Sequence, residues 1–154
     1  MLLAVDTSTQ TMGLCLYEEP TIIAEISWKT INHHTVELAP AMEELLERSG
    51  RKAADIQAIA VALGPGSFTS LRIGLAFAKG MALSLHNPLI GIPTFEMLVH
   101  TFPLSENPLI AVLPAGRQRM AAQWYEVSDG KWQASSELQV LTTQEISDSI
   151  AGPT

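Results

Sequence analysis

Leu63-Gly64-Pro65-Gly66-Ser67-Phe68-Thr69-Ser70-Leu71-Arg72-Ile73-Gly74 is the stretch on which the reading of this chain turns. Before it, Asp55 to Ala62 is a short apolar run with the pattern of a buried strand. After it, Leu71 to Leu85 is apolar almost throughout and too long for a strand, so it predicts a helix. Between the two, Gly64 and Gly66 permit backbone angles closed to other residues, and Pro65 fixes a turn. Ser67, Thr69 or Ser70 is placed to cap the new helix by accepting a bond from its first free amides. Such a strand, glycine turn and helix start reads two ways. Its bare amides hold an anion such as a nucleotide phosphate, or the turn is only a tight connection closed by hydroxyls. It is neither a Walker loop nor Gly-x-Gly-x-x-Gly, because the required spacings are missing.

Working outward, the 154 residues suffice for a real core, and 47% hydrophobic with 16% charged residues marks a globular chain. A net charge of −7, with the basic residues scattered, argues against unaided binding to nucleic-acid phosphates. The single cysteine, Cys15, excludes an internal disulfide and agrees with a reducing, cytoplasmic setting. Asp6 interrupts the short apolar start and no run reaches membrane-spanning length, so a soluble chain without a signal peptide is expected.

Leu2 to Val5, Met12 to Tyr17 and Thr21 to Lys29 read as three strands, with a polar turn at Asp6-Thr7-Ser8-Thr9-Gln10 and a second turn at Glu18-Glu19-Pro20. His33 and His34 precede a helix opening at Thr35, with Leu38, Met42 and Leu45 near one face and Gly50 at its end. Pro40 inside that helix predicts a kink or a reset of its first turn. The Leu71–Leu85 helix is apolar on more than one face, so it is sandwiched within its own fold or covered by a second chain. Leu89 to Ile92 is another strand and Phe95 to Thr101 a short helix. Strands are then expected at Leu109–Leu113, Met120–Val127 and, after an Asp129-Gly130 turn, Lys131–Leu141. Trp124 and Trp132 are there to stack on a base or to pack the hairpin. Thr142 and Glu145 form a capping box for a last helix. The fold class is α/β, with lobes at 1–103 and 104–154.

As a whole word, Gly-Pro-Gly-Ser-Phe-Thr-x-Leu-Arg-Ile-Gly closely resembles the signature of the TsaB (YeaZ) family, and Leu3-Ala4-Val5-Asp6-Thr7-Ser8-Thr9 resembles its first strand and turn. The resemblance runs from Met1 to about Thr101. It departs at Ser70, where a glycine is usual, and at Leu113-Pro114-Ala115-Gly116-Arg117, where Asp-Ala-Arg is usual; Arg117 alone keeps its place. Members usually run longer, so the chain reads as C-terminally short, with a reduced second lobe.

The resemblance implies an actin-like, ribonuclease-H-like (ASKHA) fold: a mixed sheet flanked by helices. It implies a non-catalytic, dimerising partner of TsaD in tRNA threonylcarbamoyladenosine synthesis, with a TsaE-like ATPase reached through the complex and tRNA bound only indirectly. No membrane and no cofactor of its own are implied, only ATP or ADP at the joint with TsaD. The pairing face would be helices 35–49 and 70–86, through Leu38, Met42, Leu45, Leu71, Leu75, Ala78, Met81 and Ala82. The alternative is an actin-like ATPase or phosphotransferase. It would use Asp6 for a metal-bound water, with Thr7, Ser8, Gly64, Gly66, Ser67 and Thr69 around phosphate. Against the metal role, Asp6 equally suits an Asx-turn, bonding its own backbone. The catalytic paralogue's metal-binding histidines, four apart, are not matched: Glu37 and Leu38 stand four after His33 and His34. No His-Glu-x-x-His is present, which leaves a metallopeptidase without its ligands.

Overall fold

The computed structural model describes residues 1–30 and 34–151, so His33 lies outside them. The chain forms two compact units, Met1–Ile92 and Pro93–Thr154. In the first, strands β1 (Leu2–Asp6), β2 (Thr11–Glu18) and β3 (Thr21–Lys29) are followed by helix α1 (His34–Ser49), strand β4 (Ala58–Ala62), helix α2 (Phe68–Leu85) and strand β5 (Leu89–Ile92). The sheet order is β3-β2-β1-β4-β5. β1, β2 and β3 pair antiparallel, while β1–β4 and β4–β5 are parallel. This is the ribonuclease-H-like mixed sheet.

Alternation along β1 and β2 sends Leu3, Val5, Met12, Leu14 and Leu16 to one face, where Ile59 and Val61 of β4 join them. α1 and α2 cover that face, α1 through Leu38, Met42 and Leu45, α2 through Ala78 and Ala82. α1 runs unbroken through Pro40, which is exposed, so no helix boundary falls there. Gly50, at φ 65°, ends it in the left-handed region.

The second unit holds helix α3 (Thr94–Val99), strands β6 (Leu109–Gly116), β7 (Arg119–Ser128), β8 (Lys131–Ala134) and β9 (Gln139–Thr142), and helix α4 (Thr143–Ala151). Its core is Phe95, Val99, Ala111, Ala121, Tyr125 and Trp132. The units divide before α3, not at the 103–104 boundary expected from composition, because Phe95 and Val99 pack with β6 and β7. The expected strand Lys131–Leu141 is two strands. Both pair with β7, β8 along Tyr125–Ser128 and β9 along Arg119–Ala122. Between them Ser136 takes over the pairing with its side chain, its Oγ accepting from Trp124 N at 3.0 Å. The Asp129-Gly130 turn has both residues at positive φ, as a two-residue hairpin requires. Thr142 and Glu145 do form the capping box: Thr142 N donates to Glu145 Oε2 at 2.7 Å and Glu145 N to Thr142 Oγ1 at 3.2 Å.

Candidate functional site

The turn before α2 is brought against the turn after β1. Ser67 N donates to Ser8 O at 2.7 Å, and Thr7 Oγ1 donates to Ser70 O at 2.8 Å. Gly66 lies so close to the Ser8 backbone that a Cβ there would overlap its carbonyl, and a Cβ on Gly74 would overlap the Thr7 hydroxyl. These two glycines are close-approach residues. Ser67 is the cap of α2, accepting from Ser70 N at a long 3.5 Å and from Ser70 Oγ at 2.9 Å. Ser70, the departure from the family word, therefore turns its hydroxyl into the helix start.

Of the proposed anion-binding set, Asp6, Thr7, Ser8, Gly64, Gly66 and Ser67 come together, while Thr69 lies on the exposed side of α2. Three of their donors are already used within the chain. Thr7 and Ser8 are each 1% exposed. Asp6 Oδ1 accepts from Ser8 N at 2.8 Å, the Asx-turn, and Ser67 N is taken by Ser8 O. The Ser8 and Ser67 amides and the Thr7 hydroxyl are thus committed within the chain. Ser8 Oγ is buried without a hydrogen-bond partner among the described residues, but one hydroxyl is a poor substitute for a row of amides. Among the described residues no three His, Cys, Asp or Glu side chains are grouped as a metal site needs. Cys15 is half-buried, and burial, then the Glu25 carboxylate, pushes its thiol up, so it stays protonated at neutral pH.

The open feature is the outward side of α2. Ser70, Gly74, Ala78 and Ala82, four apart, form the line that faces the sheet. Opposite them stand Phe68, Arg72, Ala76, Lys79 and Leu83, all exposed, with Phe68 at 72% and Leu83 at 78%. Arg72 lies over the Phe68 ring, 5.4 Å from its centroid. This corrects the expected pairing face. Leu38, Met42, Leu45, Ala78 and Ala82 are closed in the unit's own core and offer nothing to a second chain; Leu71, Leu75 and Met81 are half-buried. Of the small residues on α2, Gly74, Ala78 and Ala82 face the sheet, while Ala76 and Gly80 are exposed. The missed residues, Phe68, Arg72, Lys79 and Leu83, follow once the helix is started at its Ser67 cap rather than at Leu71.

In the second unit Trp132 is buried and its Nε1 donates to Phe102 O at 3.3 Å, so it packs the core and presents no ring to a base. Trp124, opposite Ile110, points to the other face of β7 from Tyr125 and Trp132. Arg117 is exposed at the two-residue tip of the β6–β7 hairpin, where it and Gln118 have φ of 51° and 60°. No helix among the described residues is long and apolar enough to cross a membrane.

Residues 21–151 match the family model described as TsaD: tRNA N6-adenosine threonylcarbamoyltransferase. The tRNA threonylcarbamoyladenosine biosynthesis protein TsaB of Bacillus subtilis (strain 168) is 33% identical over 129 residues, covering 84% of this chain and 56% of that protein. TsaB of Escherichia coli (strain K12) is 33% identical over 144 residues, covering 91% of this chain and 62% of that protein. The chain thus spans little more than half the length of these curated relatives. Among solved structures, YeaZ from Pseudomonas aeruginosa superposes with a TM-score of 0.79 at 25% identity, over 91% of this chain and 66% of that one.

Proposed function

The chain belongs to the TsaD family, in its TsaB (YeaZ) branch, and from that premise we propose that it is a non-catalytic, cytoplasmic subunit supporting a TsaD-like paralogue in threonylcarbamoylation of tRNA adenosine. Its contribution is association: the outward side of α2 docks on the paralogue and helps hold it in a working form. The observation that carries a subunit role over an enzymatic one is the pairing of two features. Phe68 and Leu83 stand in water on a helix whose other side is already packed, while Ser67 N and the Thr7 hydroxyl at its start are bonded within the chain. Two large apolar side chains exposed on one side of a helix suit a surface that a partner covers. The net charge of −7 supports leaving contact with tRNA phosphates to the paralogue.

The test is reconstitution of tRNA threonylcarbamoylation with a TsaD homologue, its other components and the threonylcarbamoyl donor, with and without this chain. Modification that depends on the chain and survives Asp6→Ala is expected. Modification indifferent to the chain, together with ATP turnover by the chain alone that Asp6→Ala abolishes, would replace the subunit reading with the actin-like ATPase.

A further inference from the structure

We draw no further inference here: the strongest candidate, the groove of the second unit lined by Leu104, Ser105, Glu106, Pro108, Glu126 and Val127, is an apolar hollow edged by two carboxylates, and nothing in the structure shows what covers it.

Discussion

At Gly66 and Gly74 the first unit has no room for a side chain. Gly66→Ala would drive a methyl into the Ser8 carbonyl and cost about 1–3 kcal/mol, as overpacking does, read as a lower urea midpoint. Gly74→Ala meets the Thr7 hydroxyl instead, a side-chain atom that can turn away, but only by giving up its bond to Ser70 O. It should cost less than Gly66→Ala. A hydroxyl cap among Ser67, Thr69 and Ser70, and the Asx-turn as one of two readings of Asp6, were legible because both rest on local backbone chemistry; the structure selects Ser67 and shows the Asx-turn. That the two turns lock together was not, since it depends on contacts across the sheet. In the second unit, burial first and the Glu96 carboxylate second push Tyr125 up to about 12. The folded state then keeps the phenol proton where the unfolded chain has lost it. Stability should be full below pH 10 and fall as pH rises through about 12. Unfolding midpoints across that window should decline in the unchanged protein and decline less in Tyr125→Phe.

At the scale of elements, α2 shows what periodicity reveals and what it hides. A helix apolar on more than one face predicts that more than one side is covered; in the structure the side of Ser70, Gly74, Ala78 and Ala82 is covered and the opposite side is exposed. Which side meets the sheet depends on a register that hydrophobicity alone does not set. Ser70, Gly74, Ala78 and Ala82 decide it, because only small residues let the helix sit close to β1 and β4. Ser67→Ala should remove the cap and cost about 1 kcal/mol. Phe68→Ser and Leu83→Ser should stay within about 0.5 kcal/mol of the unchanged stability, since both side chains are exposed. Thermal melts of the isolated chain would separate the two classes. The split of Lys131–Leu141 into β8 and β9 was hidden for a different reason: Ser136 stands in for a backbone partner, and no alternation records that.

For the whole molecule, the order of strands and helices in the first unit was readable from runs and turns, because each run is bounded by Gly, Pro or hydroxyl residues. The boundary between units was not, because α3 looks like a continuation of the β5 strand–helix alternation and declares its allegiance only through Phe95 and Val99. The central claim concerns the outward side of α2. The measurement that meets it most directly is the light-scattering mass of this chain mixed with a TsaD homologue, unchanged and as Phe68→Glu with Leu83→Glu. A mixed complex with the unchanged chain, lost with the variant while its thermal melt is kept, is the predicted result. A variant that still joins the homologue, or an unchanged chain that ignores it, would contradict the claim.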